Sequence, residues 1–229
     1  PAGKTVIANL GYSKEKDADC VILVRGTWTV PSDIQFSNSQ LIIVDNGGKI
    51  IFNGNAAFNS GARFVNKGII ETATGTISIE NWSTAEADCY NSGTMTLNNG
   101  GLSVAGNHSQ LYNCGTMSMK YLDVRGTYTF TNFGTLTAES TTKDNYETSG
   151  QTTAASNFYL VNGCYAKINA AGIFQFILCN NSRLDCPTGI FTGGGKADNF
   201  VVVGDHAVIK AGNWIDNGGK FYGPVENDN

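Results

Sequence analysis

The residues best able to do chemistry in this chain lie in two polar stretches and one short carboxylate-bearing passage. Residues 80–88 carry Trp82 with Glu86 and Asp88, an indole face for a pyranose ring beside two hydroxyl acceptors. Residues 139–153, rich in Thr, hold Asp144, Tyr146 and Glu147, again an aromatic ring among carboxylates. The plainer reading of Trp82 and of Tyr146 is an aromatic lid over the side of a packed element. The third passage, residues 203–212, places Asp205 next to His206. Glycosidic hydrolysis needs two carboxyl groups, one to protonate the leaving oxygen and one to activate water or attack. Asp205 has His206 and no second carboxylate beside it, and its plainer role is a bend residue between Val203 and Ile209.

Other chemistries find less material. The chain has 2 His and 6 Cys, with no CxxC or Cys/His spacing of the zinc-binding kind. Calcium requires several convergent oxygens, whereas the acidic residues here fall mostly outside the apolar phrases. Arg25, Arg63, Arg125 and Arg183 are scattered singly, and Arg63 and Arg183 read as outward solubilising charge. Gly193-Gly194-Gly195-Lys196 lacks the spacing of a phosphate-binding loop. The expected site is therefore a binding site, made of Trp82, Glu86, Asp88, Asp144, Tyr146 and Glu147. No catalytic residue, metal ligand or cofactor is expected.

The elements that would position these residues are set by a phrase that returns six times: apolar, any residue, Asn, then apolar at plus four. It centres on Asn66, Asn91, Asn113, Asn132, Asn162 and Asn180, at intervals of 25, 22, 19, 30 and 18 residues. Positions plus four and plus six alternate as in a strand with one buried face. Further alternating segments, such as Leu102-Ser103-Val104 and Leu122-Asp123-Val124, give each repeat at least two strands. Such a repeat cannot bury its apolar face alone, so neighbours must stack into a solenoid. Asn46 keeps the same frame, with Val44 before it and Ile50 and Phe52 after it. The seven Asn are expected at bends, tolerating left-handed backbone and stacking their amides into a ladder. Gly68, Gly93, Gly115 and Gly134, at plus two, are expected to supply a second unusual backbone angle.

This pattern resembles the right-handed parallel β-helix of the pectate-lyase-like superfold, bend Asn ladder included. The opening residues 20–52 have the style of bacterial secreted and cell-surface β-helix proteins, many of them adhesin-like. The resemblance covers residues 20 to about 223 and implies an all-β, single-stranded right-handed parallel β-helix of about eight to ten coils. The fold carries lyases, hydrolases, adhesins and tailspikes alike. The Gly204-Asp205 passage is similar to the Gly-Asp-Asp strand of polygalacturonases, but the second Asp and the family's accompanying motifs are absent.

Composition fits one elongated domain, with a cap over residues 1–19, coils over 20–223 and a tail over 224–229. Charged residues are 15%, with 28 Gly and 25 Asn, a composition of many turns and flat faces. A net charge of -4 without a basic stripe excludes nucleic acid as a partner. No apolar run is long enough to span a membrane. The Pro1 start and polar end suggest a piece of a larger secreted or cell-surface bacterial protein with other domains. Cys89 and Cys186 fall on interior positions as small buried hydrophobes; the alternative is a disulfide, Cys89 with Cys114 or Cys179 with Cys186. The expected role is a non-catalytic, adhesin-like module that recognises a glycan or surface partner or serves as a rigid stalk. The alternatives are a polysaccharide-active lyase or glycoside hydrolase and a purely structural spacer.

Overall fold

The computed structural model describes residues 5–7, 21–81, 88–106, 110–126 and 129–141, then a series of strands between 159 and 227 together with His206. Within these, side chains are described mainly between 21 and 138. The described residues contain strands and no helix, and every strand pairing is parallel. They form a β-solenoid, about five turns of it with side chains described.

Two sheets run the length of the stack. The ladder sheet orders ten strands, beginning Val21–Val24, Leu41–Val44, Arg63–Asn66, Cys89–Asn91, Gln110–Asn113 and Thr129–Asn132. The threonine sheet begins Thr5–Ile7, Thr27–Val30, Lys49–Phe52, Ile69–Thr72, and continues through Thr94–Gly106, Thr116–Gly126 and Thr135–Thr141. A third side is built from Ile34–Phe36, Ala56–Asn59 and Ile77–Asn81, the last pairing with the second half of Thr94–Gly106. Leu102-Ser103-Val104 and Leu122-Asp123-Val124 are therefore not separate strands, since each continues an element that starts on the threonine sheet. Strand pairing also reaches into the expected cap and tail, through Thr5–Ile7 on Thr27–Thr29 and Glu226–Asn227 on Val208–Ile209.

The alternation read from the sequence is what builds the core. Strands such as Leu41–Val44 and Lys49–Phe52 bury every second side chain, and equivalent positions stack like on like from turn to turn. Trp28, Ile50, Ile70, Met95, Met117 and Leu136 form one such column, each in register with the next and buried. Phe36, Phe52, Phe58 and Phe64 pack as edge and stacked pairs near one end. This is burial against neighbouring turns only, the condition for a stable array.

The ladder is present over part of its expected length. Asn66, Asn91, Asn113 and Asn132 are buried, and the Nδ2 of each of the first three donates to the next Oδ1 at 2.7 Å. Asn162 pairs in backbone register with Asn132, and its side chain lies outside the described residues. Asn46 does not belong: it is exposed in a turn, and the residue over Asn66 is the buried Val44. Asp45 supplies the side-chain acceptor at that corner, taking the Asn46 N–H at 3.0 Å and the Arg25 side chain at 3.1 Å. At the other end the register places Leu178 against Asn162, while Asn180 lies outside the described residues.

The corner that follows the ladder position varies in length along the stack. From the ladder position to its column on the threonine sheet the chain takes four residues at Asn66 to Ile70, Asn91 to Met95, Asn113 to Met117 and Asn132 to Leu136. It also takes four at Val24 to Trp28, where the position is apolar, and six at Val44 to Ile50, Asn162 to Ile168 and Leu178 to Leu184. In the short corner the Asn carbonyl oxygen accepts the N–H two residues on, as Asn66 does from Gly68 at 3.1 Å and Asn113 from Gly115 at 3.2 Å.

The backbone reason expected for these residues is overturned. None of the four described ladder Asn has positive φ, and neither do Gly68, Gly93, Gly115 and Gly134. The Asn sit at strand ends and act through their amides. The Gly are required by space: a Cβ at each would meet the carbonyl oxygen of the Gly one turn earlier.

Candidate functional site

Most of the sequence-predicted binding residues, Trp82, Glu86, Asp144, Tyr146 and Glu147, lie outside the described residues, as does Asp205. Asp88 is described and half-buried at the entry to Cys89–Asn91. Its Oδ1 accepts the backbone N–H of Gln110 at 3.0 Å. His206 is exposed in a turn at φ 56.

Asp88 leads to a group that the sequence reading passed over. Tyr90 and Tyr112 stand outward on adjacent turns of the ladder sheet with their rings stacked, centroids 5.1 Å apart and planes 12° from parallel. The Tyr112 hydroxyl donates to Gln110 Oε1, whose backbone is held by Asp88. Burial raises the pKa of both phenols, and the Asp88 charge raises it further, so both remain neutral donors at physiological pH. On the open side of Tyr90 the register continues with Val65, Ile43 and Leu23, all facing outward, with Arg63 beside Val65. Tyr90 is 44% exposed and Leu23 46%, so the ring forms a wall at the end of an apolar floor. Arg63 and Asp88 flank it as opposite charges.

A signal for this strip exists in the sequence at the position left free in the repeating phrase. Over the first five turns the residue before the ladder position is Leu23, Ile43, Val65, Tyr90 and Tyr112, and Thr131 follows on the next. An outward position of a solvated strand is ordinarily polar, so five apolar residues there mark a surface of its own.

The cysteines separate by environment. Cys89 and Cys114 are free thiols, which overturns the bridge between them. Cys89 is buried, and the loss of water pushes its pKa up to about 12. Cys114 is exposed. A maleimide or iodoacetamide at pH 8 is expected to label Cys114 in the native chain and spare Cys89, with both labelled in denaturant, as read by peptide mass spectrometry. Equal native labelling would contradict the interior placement. Cys179 and Cys186 have no described side chains.

Among the described residues no group of three or more His, Cys, Asp or Glu is placed to hold a metal ion. No helix of the described residues is long and apolar enough to cross a membrane. No protein-family model, curated protein or solved structure matches the chain.

Proposed function

We propose that this chain is a non-catalytic, adhesin-like module of a bacterial secreted or cell-surface protein, recognising a glycan or surface partner through the outward strip of its ladder sheet. The observation that carries this reading is the exposed wall and floor of Tyr90, Val65, Ile43 and Leu23, flanked by Arg63 and Asp88. A contiguous apolar face rimmed by charge marks an interaction surface. Tyr offers a ring for a sugar or side chain to lie on and a hydroxyl at its edge. The parallel solenoid and its ladder also support a right-handed β-helix of the pectate-lyase-like kind, since parallel crossovers are right-handed in nearly all cases.

The test is a panel of polysaccharides and surface glycans read twice, for retention of the chain and for release of reducing ends or unsaturated uronates. Retention without turnover is expected, with Tyr90→Ala weakening it at least about tenfold. Turnover of any member of the panel would contradict the proposal.

A further inference from the structure

The two long sheets present opposite kinds of surface. The threonine sheet turns Thr94, Thr96, Thr116, Ser118, Thr135 and Thr137 outward in register, an ordinary solvated face. The ladder sheet turns out its apolar column, and beside that a second column in which Arg63 and Asp88 occupy successive turns. Asp88 precedes Tyr90 by two residues as Arg63 precedes Val65, with which Tyr90 pairs, so the two lie on successive turns, Asp88 also accepting the Gln110 N–H. In the single chain these two charges do not pair: the ion pairs among the described residues are Arg25–Asp45 and Lys49–Glu71. The strip runs about 20 Å over five turns spaced near 4.8 Å, and ends where Thr131 is buried.

We infer that the partner of this strip is a second copy of the chain, laid face to face and antiparallel; this rests on the reading of the strip as the recognition surface. Take a two-fold axis in the plane of the face, perpendicular to the solenoid and passing between the turns of Arg63 and Asp88. Each column then meets itself in reverse order, and every contact is made twice. Arg63 meets Asp88 of the second copy, Val65 meets Tyr90, and Ile43 meets Tyr112. Opposite charges coincide, and each aromatic ring falls on a smaller aliphatic side chain.

Neighbouring arrangements fail on the same residues. An axis through the Arg63 turn sets Arg63 against itself, and one through the Asp88 turn sets carboxylate against carboxylate. A two-fold axis along the solenoid puts Arg63 on Val65 and Asp88 on Tyr90, covering charges without partners, which is costly. The antiparallel pair also points the two solenoids in opposite directions, as contact between two opposed surfaces that each carry the module requires.

Analytical ultracentrifugation of the full chain over a wide concentration range tests this through charge reversal. The wild-type chain is expected to dimerise, and Arg63→Asp and Asp88→Arg each to weaken the dimer about a hundredfold. An equimolar mixture of the two variants restores both ion pairs and is expected to give a heterodimer, as the double variant is expected to give a homodimer. Circular dichroism checks that each variant is folded. A monomeric wild type, undiminished dimers in both single variants, or a mixture that stays monomeric would overturn the pair. If the wild type is monomeric yet holds a glycan through Tyr90, the pair falls while the recognition reading stands; if it holds nothing, both fall.

Discussion

Gly115→Ala is expected to lower the stability of the solenoid by about 3 kcal/mol, the upper part of the range for a substitution that forces atoms together in a packed interior. The methyl group would be built into the carbonyl oxygen of Gly93 one turn earlier, and Gly134 stands in the same relation to Gly115. Backbone cannot step aside here, because Gly115 N–H is held by Asn91 O at 3.1 Å and by Asn113 Oδ1. Stability in such an array is a sum of interfaces between turns, so the damage separates the turns before Gly115 from those after it. Urea unfolding should then lose its single steep transition. Gly47→Ala is the control, since Gly47 has φ +76 with nothing near its missing Cβ; strain alone should cost about 1 kcal/mol. Equal effects at the two positions would show that space between turns is not what selects glycine.

Asn113→Ala is the second large effect, about 3 kcal/mol, because it leaves buried polar groups without partners. Asn113 is fully buried and makes four side-chain bonds. Its Oδ1 accepts from Asn91 Nδ2 at 2.7 Å and from Gly115 N–H at 3.2 Å, and its Nδ2 donates to Asn132 Oδ1 at 2.7 Å and to Thr135 O at 3.2 Å. Asn46→Ala, in an exposed turn outside the ladder, should change stability by less than about 0.5 kcal/mol. The pair of variants, followed by thermal or urea unfolding, separates residues that share a sequence frame but not a structural role. A small loss at Asn113, comparable to that at Asn46, would contradict the ladder as a source of stability.

That contrast shows how far the sequence could be read. Period-two alternation and a recurring Asn phrase are enough to call a parallel solenoid, because a 20-odd-residue unit with one apolar face has no other way to bury it. Frame alone could not set register. Val44 and Asn46 are two residues apart and both fit the frame, yet the buried Val44 stacks on Asn66 while Asn46 lies exposed in the turn. Gly at plus two was legible as a requirement, but its cause was contact with the turn before, a distance that no local pattern encodes.

The candidate surface was harder to see for a related reason. Breaks in the repeat point to Trp82 and Tyr146, and the residue before each ladder position carries no constraint in the repeating phrase. That residue faces outward, and Tyr90 and Tyr112 meet only because the intervening residues close one full turn. Asp88 was picked out as a sugar hydroxyl acceptor beside Trp82, and the structure shows it anchoring Gln110 next to the tyrosine stack. Juxtaposition across turns is what a linear reading lacks.

The central claim is that the outward strip of the ladder sheet is the working surface of this protein. Its most direct test compares the wild-type chain with an Ile43→Ser, Val65→Ser, Tyr90→Ser variant for retention on immobilised glycans and on immobilised wild-type chain. All three positions face outward, so the unfolding midpoints should stay close. The wild type should be retained on at least one surface and the variant on none. Retention of a folded variant equal to that of the wild type would contradict it.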